Sequence, residues 1–249
     1  MKYYINCIKH SEKLTQDIKE LIPEMNIRRR MSKVVKMGVC CGLESFDKFS
    51  QFGKVDAIIT STSLGAIADS EKFLSNIITA NETMLNPTPF IQSTFNTVGA
   101  QIALLRNFHC YNNTFVHRNN SFESALLDAM LRLQNGFSSA VLVGVFDEAT
   151  PTVENILKRL NVIKNLPIGE GAIFFVLTSK QYDCTVAEID LLIGDANNKK
   201  AIKVSQTADS YWSGMMAELM FNAIEKKEEC TFLNDANTKF VTTLNIKPI

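Results

Sequence analysis

The residues best placed to do chemistry run from His117 to Glu123, in the order His-Arg-Asn-Asn-Ser-Phe-Glu. A strand pattern from Tyr111 to His117 leads into a helical pattern opening at Asn120. The first-turn N–H groups and the positive end of the helix dipole therefore converge on this run. Nucleophiles occupy such points because a developing oxyanion is stabilised there. Ser121 is the only nucleophile type in the turn, and His117 is the base nearest to it in sequence. The simpler readings are a first-turn or capping serine and a hydrogen-bonded histidine at a strand end. No histidine occurs after position 117, so a mechanism drawing histidine from the second half is excluded.

Other chemistry-bearing features have plainer alternatives. Arg28, Arg29 and Arg30 could attract an acidic carrier protein or a phosphate; a solvated helix start is the other reading. Gly169-Glu170-Gly171 has the composition of a phosphate loop but precedes a strand, which is the wrong context. Cys40 and Cys41 fall inside a helical apolar pattern and read as core. Trp212, Met215, Met216, Leu219 and Met220 form a helical stripe suited to core packing, with partner contact as the second reading. The six cysteines form no C-x-x-C pair, and with three histidines no metal site is expected.

The positioning elements are read from periodicity. Strands are expected at residues 2–9, 55–60, 111–117, 140–146, 171–178, 186–193 and 239–246. Helices are expected at 31–46, 67–78, 96–106, from Asn120 to about Gly136, and at 210–225. Glu123 stands three residues after Asn120, where a capping box places its acid. Pro87 and Pro89 read as a connection. Alternation of helices with continuously apolar strands implies an α/β fold, its buried, parallel or mixed sheet covered on both faces.

Composition bounds the partners. Hydrophobic residues make up 46% of 249, enough for a substantial core. Lys plus Arg and Asp plus Glu both total 26, so no global field favours nucleic acid or an anionic membrane surface. No apolar run is long enough to span a bilayer, and the opening residues lack a secretory core. Reduced thiols in the cytoplasm are the expectation.

Taken in order, these segments resemble the thiolase-fold β-ketoacyl synthases. Ile27-Arg28-Arg29-Arg30-Met31-Ser32 is similar to the synthases' I-P-R-R-M-S run before their first long helix. Residues Pro87 to Val98 (PTPFIQSTFNTV) resemble the helix leading to the dimer-forming strand, and Thr114 to Leu131 resemble the strand-to-helix elbow. Val141 to Glu148 and Gly169 to Leu177 match the two strands that come next. Two phrases, FVHRNNSFESALLDA and PTPFIQSTFNT, are closest to short synthase-like proteins of aryl-polyene and flexirubin-type pigment clusters.

The resemblance implies a layered αβαβα fold. Residues 1–180 would form its N-terminal half and 181–249 a shortened, degenerate C-terminal half in the same compact unit. Counting back from Gly136, the nucleophilic cysteine's position falls at Asn119, or at Asn120 with a one-residue slip. An amide cannot form the acyl thioester, and the synthases' paired histidines have no counterpart. The resemblance therefore implies a pseudo-β-ketoacyl synthase: a non-catalytic chain-length-factor-like or accessory subunit in fatty acyl or polyene synthesis, without cofactor or metal. Its partners would be a catalytic synthase, an acyl carrier protein, or both. The subunit contact would run through Tyr111, Asn113, Phe115 and His117, and Arg28–Arg30 would form the carrier-protein patch. A homodimeric acyl or carrier-protein binding module and an acyl hydrolase or transferase using Ser121 remain open alternatives.

Overall fold

The computed structural model describes residues 1–249 apart from 81, 82, 84, 164–166, 195–200, 208–210 and 236–240. Nine strands join in one mixed sheet: β1 (Tyr3–His10), β2 (Ala57–Ser61), β3 (Tyr111–Phe115), β4 (Ala140–Asp147), β5 (Gly171–Thr178), β6 (Thr185–Ile193), β7 (Ile202–Lys203), β8 (Cys230–Asn234) and β9 (Thr242–Pro248). Their spatial order is β3-β2-β4-β5-β1-β6-β9-β8-β7. Strand β2 runs parallel to β3 and β4, and β7 parallel to β8; the remaining pairs are antiparallel. The mixed α/β architecture implied by the resemblance is the one observed. Residues beyond 180 extend the same sheet, because β6 pairs directly with β1.

The helices are α1 (Ile18–Leu21), α2 (Met25–Arg30), α3 (Lys33–Phe49), α4 (Ile67–Thr79), α5 (Pro87–Gln92), α6 (Thr97–Leu105), α7 (Ser121–Gln134), α8 (Pro151–Arg159), α9 (Val204–Thr207) and α10 (Met215–Lys226). Helices α3 and α6 cover one face and α7 and α10 the other. The central strands feed both cores by alternation. In β4, Val141, Val143 and Val145 face α7, while Leu142 and Phe146 face α3. On α3, a Cβ at Gly42 would meet Ile102 Cδ1 of α6 at 2.4 Å and the Phe174 ring at 3.1 Å. Glycine is what lets these two helices approach. Cys40, Cys41, Trp212, Met215, Met216 and Met220 are core, in line with their helical spacing.

Several expectations shift. The two prolines of the expected connection sit in the first turn of α5, capped by the Asn86 side chain. Helix α8 opens the same way, with Thr150 as its cap and Pro151 in the first turn. The short strand β8 is likewise additional to the expected elements. The expected starts at Ser210 and Lys239 lie outside the described residues. No helix among the described residues is long and apolar enough to cross a membrane.

Candidate functional site

Strand β3 ends at Phe115, and a single 3-10 turn (Arg118–Asn120) carries the chain into α7. Arg118 occupies the left-handed region at φ 50°, a conformation few non-glycine residues adopt, and it bends the elbow sharply. Asn120 N–H closes the turn on His117 C=O at 3.0 Å. That bond uses the donor that a capping box would give to Glu123. The capping-box expectation is therefore corrected: Glu123 reaches Asn234 of β8 instead, accepting from Nδ2 at 2.6 Å. The same Nδ2 donates to the Asn119 carbonyl at 3.0 Å. A residue near the end of the chain thus holds the backbone of the elbow.

Glu123 is fully buried, and its second oxygen, Oε2, has no hydrogen-bond partner among the described residues. Burial pushes the carboxyl up to about 7, against the partial relief that Asn234 gives. Thr242, opposite Asn234 in the β8–β9 ladder, is buried too.

The proposed nucleophile and base are not brought together. Ser121 is fully buried; its hydroxyl donates to Arg118 C=O at 2.6 Å and accepts from His117 N–H at 2.8 Å. Both bonds brace the elbow. The His117 ring lies against Ser124, with Nδ1 to Oγ at 3.1 Å, and Ser124 in turn donates to Asn120 C=O at 2.8 Å. Asn119 is half-buried and Asn120 buried. The thiol-bearing residue nearest in sequence is Cys110, exposed and ahead of β3.

Behind the elbow, a second buried carboxylate ties the strand ends together. Asp147, at the end of β4, accepts from Thr62 Oγ1 at 2.6 Å and from the N–H groups of Ser63 and Leu64 at 3.0 and 3.2 Å. The hydroxyl of Ser213 completes the set. Burial raises this carboxyl, and the converging donors offset part of the effect. Its neighbour Glu148, also raised by burial, accepts from Ala68 N–H at the start of α4 at 2.9 Å. Sequence reading misses both roles. The available signal is an acidic pair closing an uninterrupted apolar strand.

The proposed subunit strand lies at a sheet margin. Strand β3 pairs with β2 on one side and ends the strand order on the other. Asn113 Oδ1 accepts from Thr114 N–H at 2.9 Å, which satisfies one donor of that open margin. Tyr111 is tied to α7 through Asp128 at 3.0 Å, and the Arg132 guanidinium stacks 3.8 Å above its ring. Phe115 packs on the core, whereas Val116 and His117 are exposed. Large apolar side chains also stand out on α5, α6 and the link between them, with Leu104 73% and Ile91 57% exposed and Phe95 46%.

The three arginines divide their work. Arg28 gives its guanidinium to the carbonyls of Ile22 and Pro23 and so closes the end of α1. Arg29 and Arg30 are exposed. Arg30 stands on the rim of a cavity of about 510 Å³ lined by apolar residues including Ile27, Met31, Ile91 and Leu104, together with Gln92 and Gln101.

A family model described as the β-ketoacyl synthase N-terminal domain matches residues 6–235. No curated protein matches the chain. Among solved structures, a ketosynthase (ApeO) in complex with its chain length factor (ApeC) from Xenorhabdus doucetiae is similar with a TM-score of 0.68 and 17% identity, covering 99% of both chains. The ishigamide ketosynthase/chain length factor gives 0.69 and 12% identity over 94% of this chain and 86% of that one. A type II polyketide acyl-carrier protein in complex with its ketosynthase (AntDE:AntF) gives 0.73 and 13% identity over 100% and 99%.

Proposed function

The chain belongs to the β-ketoacyl synthase N-terminal domain family, and on that premise we propose that it acts as a non-catalytic, chain-length-factor-like subunit in polyketide- or polyene-type acyl synthesis. The observation that carries this reading is the elbow. Its turn holds Arg118, Asn119 and Asn120, with no thiol, and its serine hydroxyl is engaged in bracing the bend. An amide at the nucleophile's position cannot carry an acyl thioester. The Asn234 side chain of β8 holds the Asn119 carbonyl at 3.0 Å and so fixes the turn.

Two surface features support an assembled role. The open margin of β3, with Val116 exposed just beyond it, offers an edge for a second synthase-type subunit. Arg29 and Arg30, beside the apolar cavity, offer an acidic carrier protein both charge and an apolar contact. Co-expression with a candidate synthase, then size-exclusion chromatography with light scattering, tests the assignment. A stable one-to-one complex is expected. A self-sufficient homodimer indifferent to every synthase offered would instead favour an acyl or carrier-protein binding module.

A further inference from the structure

Two thiols far apart in sequence face each other where β1 meets β6. Asn6 pairs with Thr185 at the end of the antiparallel ladder, and Cys7 and Cys184 are the next residues on the two segments. The Cys7 N–H donates to the Cys184 carbonyl at 3.5 Å. Bridged cysteines have Cα atoms about 4.4–6.8 Å apart, a spacing within reach of two residues joined backbone to backbone. Cys7 belongs to an apolar cluster against which Cys184 packs, and the Cys184 thiol reaches the Asn6 side-chain oxygen, next to Cys7, at 3.9 Å.

The backbone at this point is unusual. Cys7 lies in the left-handed region at φ 50°, within an irregularity that shifts the register of β1 against both of its neighbours. A non-glycine residue held there inside a strand is costly, and such outliers gather at sites with a task. The pair is also asymmetric. Cys7 is 3% exposed, whereas Cys184 sits half-buried in the turn before β6.

We propose that Cys7 and Cys184 form a reversible dithiol that closes to a disulfide by exchange with a small-molecule disulfide such as oxidised glutathione. Cys184, as thiolate, attacks one glutathione sulfur; a protein–glutathione bond forms, the glutathione S–S bond breaks, and the first glutathione thiolate leaves and takes a proton from solvent. Cys7 then loses its proton and attacks Cys184 Sγ, and the second glutathione leaves in the same way. The two cysteines are oxidised by two electrons, and one oxidised glutathione becomes two thiols. The bond staples β1 to the turn that carries residues beyond 180 into the sheet. Burial first, then the neighbouring Cys184 thiol, pushes Cys7 up to about 12, so its thiolate is scarce near neutral pH and ring closure accelerates as pH rises.

The test incubates the purified full chain in buffers of stepped oxidised-to-reduced glutathione ratio, quenches in acid, alkylates free thiols and maps peptides by mass. The expected result is the joint loss of two alkylatable thiols and a linked Cys7–Cys184 peptide that is absent in Cys184→Ser. Cys110→Ser should leave it unchanged. Closure should be faster at pH 9 than at pH 7. If Cys7→Ser fails to fold, Cys184→Ser, at the half-buried position, still decides the matter. A glutathione adduct that persists on Cys184 without closing, or two thiols alkylatable at every ratio, would overturn the proposal.

Discussion

Asn234 donates to the carbonyl of Asn119 at 3.0 Å, across 115 positions of sequence. This amide nitrogen also donates to Glu123 Oε1, so one side chain on β8 holds both the elbow and the first turn of α7. Removing it leaves a part-buried carbonyl and a buried carboxyl short of a donor. Asn234→Leu should cost about 1–3 kcal/mol in urea unfolding, the range for stranding a buried polar group. Adding Glu123→Leu should recover part of that loss, because the orphaned carboxyl goes with it. Additive losses in the double variant would show that the two residues act independently.

Glu123 also sets a pH dependence. Its folded value, about 7, lies above the ordinary 4.5, so the folded state binds the proton more tightly than the unfolded chain. The stability this contributes is fully present below about 4.5 and lost as pH rises through about 7. The buried Asp147 is shifted in the same direction, so the comparison must be with Glu123→Gln. Between pH 5 and 8, wild type should lose stability relative to that variant in parallel denaturant titrations. Parallel curves would show that Glu123 does not titrate in this window.

Much of the sheet is legible in the primary structure because its strands are buried on both faces. The continuous apolar run from Gly171 to Thr178 forms β5 with those ends, and the helical spacing from Ile67 persists to Thr79. Elements begun by proline are missed: Pro87 reads as part of a connection although it lies in the first turn after a capping side chain, and α8, opened by Pro151 in the same way, is not foreseen. The elbow can be located from sequence, but its bonding cannot. Asn120 N–H is taken by His117, and the partner of Glu123 lies 111 positions away, a contact that no local pattern encodes.

Val116, 44% exposed just beyond β3, lies on the proposed subunit face. Val116→Asp should change the stability of the isolated chain by no more than about 0.5 kcal/mol, as exposed substitutions do. It should weaken association with a synthase by at least about tenfold, or about 1.4 kcal/mol. Unchanged affinity in a binding titration would move the contact away from this strand.

The arginines should separate cleanly. Arg29→Glu with Arg30→Glu should weaken binding of an acidic carrier protein by about tenfold or more and flatten its salt dependence, leaving thermal stability nearly unchanged. Arg28→Ala should instead lower thermal stability, because its guanidinium holds the Ile22 and Pro23 carbonyls. Carrier-protein affinity measured at two ionic strengths checks the first pair, and a melting curve checks the second.

The most direct measurement of the proposed role is a condensation assay with acyl and malonyl carrier proteins, run with this chain alone, a partner synthase alone, and the two together. The expected result is no product from this chain alone, and product in the mixture whose yield or chain length depends on it. Condensation by the purified chain unaided would contradict the non-catalytic assignment.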